Sequence, residues 1–284
     1  MPNTNAGEQQ SPAFADIKRQ CNGMLPLDVY QRIYEEARQT TEGDVVEVGT
    51  AHGAATVCLA LGLMATGRAA RVHTIDRLEG GSRAQFGGFE DNRRILERNL
   101  HTFGVTDFVR VWAGDVREQS PLLPLDNGIG LLMLDADGQI DRDILGFSHR
   151  LMATSRIVID DAKDLVRIDC RNGTVAGIDM KMKLTQELLD FFVRGECLSN
   201  GEKIGNTYFG RYTARREDLS RLAPGILDVY RGLIICQSPT IVMTKSRARM
   251  QQWRGRISRR FDAHPGAKRW IQRLLHGTRS ASPG

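Results

Sequence analysis

Five short apolar runs, each ending in an acid or a glycine and separated by stretches with helical periodicity, constrain this chain more than any other feature. "DVVEVG", "ARVHTID", "DFVRVWAGD", "GLLMLDADG" and "SRIVIDD" read as buried strands. "AATVCLALGLMATG", ending at Gly67, "FEDNRRILERNLHTFG", ending at Gly104, and "DRDILGFSHRLMA" read as helices between them. Strands alternating with helices form right-handed crossovers, so the expected class is α/β, a mainly parallel sheet with helices on both faces. An earlier helix is expected in "LPLDVYQRIYEEARQT" with Asp28 as its cap, and a later one in "KLTQELLDFFVRG". Beyond these, "RGLIICQ" and "TIVMTK" flank Ser238-Pro239 and are expected to pair as an antiparallel hairpin.

In open α/β sheets, ligands bind outside the carboxyl ends of the strands, so the acids there carry the functional reading. "VVEVGTAHG" places Glu47 near the end of the first strand and Gly49, Thr50, Ala51, His52 and Gly53 in the turn after it. Its glycines are spaced GxxxG, with Ala51 where a dinucleotide fingerprint would carry another glycine, which weakens a nicotinamide-dependent oxidoreductase. Asp76 ends the second strand, where a carboxylate can accept both hydroxyls of a ribose. Asp115 ends the third, where it can accept from the exocyclic amine of adenine while Trp112 or Val116 packs nearby.

The sequence resembles the class I S-adenosylmethionine-dependent methyltransferases over roughly residues 40 to 245. "VVEVGTAHG", "VHTID" and "AGD" are similar to that family's successive motifs. The resemblance implies a Rossmann-like sheet closed by a C-terminal antiparallel hairpin. It also implies that Glu47 and the Gly49–Gly53 loop hold the methionine part of S-adenosylmethionine, Asp76 its ribose and Asp115 its adenine.

The acids of the fourth and fifth strands fall outside that set. Asp135 and the Asp160–Asp161 pair are expected to project into one crevice, where three unpaired carboxylates repel or demand a cation. Hard oxygen ligands suit Mg²⁺, Mn²⁺ or Ca²⁺. The pattern resembles the metal-dependent O-methyltransferases, both the catechol and caffeoyl-CoA type and the sugar-modifying type related to macrocin O-methyltransferase. That resemblance implies that Asp135, Asp160 and Asp161 bind a divalent metal, Mg²⁺ foremost, with Asp135 also at the cofactor. The catechol type carries a base lysine three residues after the first Asp, where this chain has Gly138. The sugar-modifying type has an acid two residues on, matched by Asp137. Asp137 then either takes the acceptor's proton or caps the turn before Gly138, and the acid pair either ligates or caps a helix. His52 is the alternative base, or it lines the cofactor turn. The acceptor is expected to be a small molecule or sugar; a metal-independent methyltransferase on the same fold stays open.

Charge divides the molecule. From Lys245 to the end there are 11 Lys and Arg against one acid, Asp262, a charge of +10, so the remainder carries 5 − 10 = −5. Three parts are expected: an N-terminal segment and helix over 1–39, a methyltransferase domain over 40–245 and a basic amphipathic tail over 246–284. Trp253, Ile257 and Phe261 recur every four residues among arginines, which suits an anionic membrane surface. Packing on the body or a partner subunit, as in a homo-oligomer, is the competing use, and contact with nucleic acid through the tail is a third, with no specific nucleic acid expected. The polar, glycine-bearing residues 164 to 183 read as a lid over the acceptor or an insertion without structure. Five scattered cysteines without CxxC spacing fit a reducing cytoplasm. The N-terminus lacks the basic-then-apolar order of a secretory signal, so the expected location is cytoplasmic, or peripheral to a membrane.

Overall fold

The computed structural model describes residues 13–80, 86–171, 174–214 and 216–235. Two helices, α1 (Phe14–Gln20) and α2 (Leu27–Arg38), precede β1 (Asp44–Val48), α3 (Ala54–Met64), β2 (Val72–Asp76), α4 (Phe89–Thr102) and β3 (Val109–Ala113). Then come α5 (Val116–Gln119), β4 (Ile129–Leu134), α6 (Ile140–Phe147), β5 (Leu151–Ile159), β6 (Arg167–Arg171), β7 (Thr174–Asp179) and α7 (Lys181–Arg194). The described part closes with β8 (Glu202–Ile204), β9 (Thr207–Arg211) and α8 (Arg216–Ile235).

Seven strands form one sheet in the order β3-β2-β1-β4-β5-β9-β8. The first five pair in parallel, and β9 joins β5 antiparallel with β8 outside it. Every residue of β1 and β4 is buried, as central strands covered on both faces require. Side-chain alternation divides the core. Val45, Val72, Leu131 and Met133 pack with α1 to α4, while Val46, Val48, Leu132 and Leu134 pack with α6 and α7. Strand order reverses between β1 and β4, so the carboxyl ends of these two strands flank the crevice where such folds bind ligands.

Two expectations about the later chain change. The antiparallel hairpin that closes the sheet is β8–β9, around Gly205 and Asn206, and not the pair expected at 231–245. Residues 231–235 instead continue α8, and 236–245 lie outside the described residues, as does the basic tail. An unbroken apolar run such as "LIIC" carries no period that separates strand from helix. Within 164–183, β6 and β7 pair antiparallel as a separate two-stranded sheet that leads directly into α7. Asp28 lies inside the first turn of α2, with Pro26 at the cap position. Chain contacts divide the molecule at Leu233 into two units, and of the second only 234 and 235 are described. No described helix is long and apolar enough to cross a membrane.

Candidate active site

A cavity of about 760 Å³ opens at the carboxyl ends of β1, β2 and β4. Its floor is the turn after β1. Gly49 adopts φ +95°, and a Cβ there would lie 2.2 Å from the carbonyl oxygen of Asp135, so only glycine lets the two strand ends come together. Ala51 and Leu78 are held in the left-handed region at φ +50° and +55°, a conformation that costs a non-glycine residue on the order of 1 kcal/mol. Asp76 holds both. Its Oδ2 accepts from the amides of Thr50 (2.7 Å) and Ala51 (3.0 Å), and its Oδ1 from that of Leu78 (2.7 Å). A carboxylate has about four acceptor positions, so roughly one remains for a ribose hydroxyl rather than the two expected from sequence.

Glu47 differs more. It sits on the α3 face of β1, completely buried, and does not line the cavity. Its Oε2 accepts from Thr56 Oγ1 of α3 and Thr74 Oγ1 of β2, both at 2.6 Å, while Oε1 has no hydrogen-bond partner. Burial pushes its carboxyl up to about 7 against the two hydroxyls, with the nearby Asp135 and Asp76 adding to the rise. Expected at the methionine part, Glu47 instead lies outside the cavity lining and ties β1 to α3 and β2. Gly53 likewise stands outside the lining, as the left-handed cap of α3 at φ +89°. Thr50, Ala51 and His52 line it. His52 is buried, its Nε2 3.2 Å from Asn92 Oδ1 and its ring edge-on to Phe86.

Asp115 stands at the rim. It caps α5 by accepting from the Arg117 amide at 3.0 Å and is ion-paired to Arg77. Despite burial, these partners hold its carboxyl below the usual range. Its neighbours Gly114 and Val116, rather than Asp115 itself, line the cavity. Trp112 points elsewhere, to His73.

At the far side, parallel pairing of β4 with β5 brings the remaining acids together. One carboxylate oxygen from each of Asp135, Asp160 and Asp161 lies within 4.8 Å of the others. Asp160 accepts from Thr207 Oγ1 at 2.6 Å. Asp161 holds φ +58° in the turn after β5, which sends its carboxylate to Lys181. Lys181 was not among the residues expected here. Its Nζ lies 2.7 Å from Asp161 Oδ2 and 3.1 Å from Asp135 Oδ1. Burial pushes Asp135 up to about 7, with Lys181 opposing and the other two acids reinforcing the rise. The sequence held one signal for Lys181: a cation in the first turn of a helix with no acid there works against the helix dipole, so it needs another partner.

Asp137 does cap the turn, accepting from the Gln139 amide at 3.1 Å, and it also faces the cavity. Burial raises its carboxyl, but Arg142 Nη1, 2.7 Å from Oδ2, outweighs that and keeps it below the ordinary range. Arg142 is itself fixed by Asp143, with Nε to Oδ1 at 2.7 Å. Cys21 to Leu25 and Tyr30, from the α1–α2 connection and α2, complete the cavity wall. No residue type in that stretch signals a ligand, so it was unreadable from sequence.

Comparison with known proteins places this geometry. Residues 46–162 match the family model of a methyltransferase domain. Among solved structures, the cofactor-bound Rv0187 from MTB superposes with a TM-score of 0.54 at 18% identity, over 76% of this chain and 100% of that one. TomG, an O-methyltransferase from Streptomyces achromogenes involved in tomaymycin synthesis and solved with S-adenosylmethionine, gives 0.53 at 13% identity, over 72% and 92%. An O-methyltransferase from Bacillus cereus in complex with S-adenosylhomocysteine gives 0.52 at 13% identity, over 70% and 90%. No curated protein matches the chain. The matched segment is thus similar to a methyltransferase domain, and the sheet and its crevice have the Rossmann-like methyltransferase fold.

Proposed function

We propose that the protein methylates a hydroxyl oxygen of a small molecule or sugar, with a divalent cation, Mg²⁺ by ligand chemistry, at Asp135, Asp160 and Asp161. The observation that carries this reading is the double position of Asp135, which lines the cofactor cavity and is one corner of the acid trio. A hydroxyl held at that corner would border the cavity proposed for the methyl donor. TomG and the Bacillus cereus protein are both O-methyltransferases, which supports the same acceptor atom.

S-adenosylmethionine, as the proposed cofactor, would supply a methyl group on a positively charged sulfur. The cavity suits it: bare backbone at Gly49, a remaining acceptor position on Asp76, and the apolar side chains of Ile75 and Val116. Three carboxylates from two adjacent strands form the all-oxygen donor set that Mg²⁺ prefers, and such an ion would lower the acceptor's pKa and orient it. Asp137 receives the hydroxyl proton at Oδ2. Arg142 keeps that carboxylate ionised and aimed, at the cost of some basicity. A panel of hydroxyl compounds incubated with methyl-labelled S-adenosylmethionine, with and without chelator, tests the reading. Labelled ether products that vanish on chelation are expected; turnover that survives exhaustive chelation would falsify the metal role, and label on nitrogen or carbon the acceptor assignment.

A further inference from the structure

We propose that the Lys181 ammonium is the protein's own occupant of the cation position in the acid trio, and that a divalent ion enters only by displacing it. This rests on the metal reading above and adds a residue that gates it. The ammonium lies within hydrogen-bond distance of carboxylates from two different strand ends, Asp161 Oδ2 at 2.7 Å and Asp135 Oδ1 at 3.1 Å. A divalent ion needs oxygens of those same carboxylates as ligands at roughly 2.0–2.6 Å. The two cations would then share ligands at a separation where like charges repel strongly.

The backbone that carries Lys181 is fixed. Its amide donates to Asp179 Oδ1 at 2.9 Å, and its carbonyl accepts from Thr185 Oγ1 at 2.9 Å. On the other side, Gly138 packs so closely that a Cβ there would lie 2.9 Å from that carbonyl. Displacement is therefore a swing of the long side chain, without movement of α7, and the side chain already borders the cofactor cavity with 20% of its surface exposed. Asp160, whose Oδ1 accepts from Thr207 Oγ1, keeps its place in the trio through the exchange. Lys183, two residues on, is paired away from the trio with Asp164 and Glu187 and is the natural control.

The test is a Mn²⁺ titration of the full chain, followed by calorimetry and by the electron paramagnetic resonance of free Mn²⁺, on wild type, Lys181→Met and Lys183→Met. Lys181→Met is expected to bind Mn²⁺ at least ~10-fold more tightly than wild type, and Lys183→Met to match wild type. In parallel, mass spectrometry should show the acetylation rate of wild-type Lys181 rising as Mn²⁺ saturates, which keeps the proposal testable if the variant fails to fold. Equal affinity in wild type and Lys181→Met, or unchanged acetylation, overturns the displacement while leaving a metal site intact. Absence of Mn²⁺ binding in all three proteins overturns the displacement and the metal reading together.

Discussion

Glu47, one residue before the end of β1, and Asp76, the last residue of β2, face different surroundings. Glu47 shares a strand face with Val45 and is registered opposite Thr74, so it points into the α3 layer and not to the crevice. Counting alternate residues from Val45 would have assigned that face in advance. Burial raises its carboxyl from the ordinary 4.5 to about 7, so the neutral form is favoured in the folded protein. The stability this confers, relative to an ionised buried acid, is fully present below about pH 4.5 and is lost as pH rises through about 7. About 2.5 units correspond to roughly 3 kcal/mol. Urea unfolding at pH 5 and pH 8 should thus show Glu47→Gln gaining on wild type by about that amount at the higher pH; a constant difference would mean that Glu47 is not titrating in the fold. For Asp137, Asp137→Asn should keep S-adenosylhomocysteine affinity and lose turnover by ~10²–10⁴-fold. Since Arg142 lowers the Asp137 carboxyl, Arg142→Gln should move the acidic limb of kcat/KM to higher pH. A limb that stays put would assign the proton to another group.

Among the elements, the turn after β1 depends on an acid from β2. Three backbone amides converge on Asp76, two of them from residues in left-handed conformations. Asp76→Ala should therefore cost about 2–3 kcal/mol of stability as well as at least ~10-fold in S-adenosylhomocysteine affinity. Thermal melts and calorimetry on the same samples check this, and lost affinity with an unchanged melt would return Asp76 to a purely ligand-binding role. The central strands were legible because each apolar run is bounded by glycine or acid and followed by a helical period. The closing hairpin was not read at "EKIGNTYFG", where β8 is only three residues long and its turn signal is the Gly205-Asn206 pair. The strand-end acids were readable one by one, but their partners were not. Lys181 reaches Asp135 across 46 residues, and Thr207 reaches Asp160 across 47, contacts set by sheet order and helix placement rather than by local spacing.

Across the whole molecule, the sequence sets an acidic body apart from a basic tail. The cavity draws its wall from the α1–α2 connection as well as from the sheet, so the N-terminal helices belong to the working unit. We propose that the tail contributes attraction to anionic surfaces and nothing to cofactor binding. Truncation after Lys245 should spare S-adenosylhomocysteine affinity and abolish sedimentation with anionic vesicles, and salt should weaken the full-length binding. Full-length protein that ignores such vesicles at low salt would remove that duty.

We propose that the crevice between β1 and β4 binds S-adenosylmethionine and opens onto an acid trio that activates a hydroxyl. Calorimetric titration of the full chain with S-adenosylhomocysteine, and separately with NADP, tests this. Saturable one-to-one binding of S-adenosylhomocysteine, weakened by Asp76→Ala, with no heat from NADP, is the predicted result. Saturable binding of NADP with none of S-adenosylhomocysteine would contradict the account.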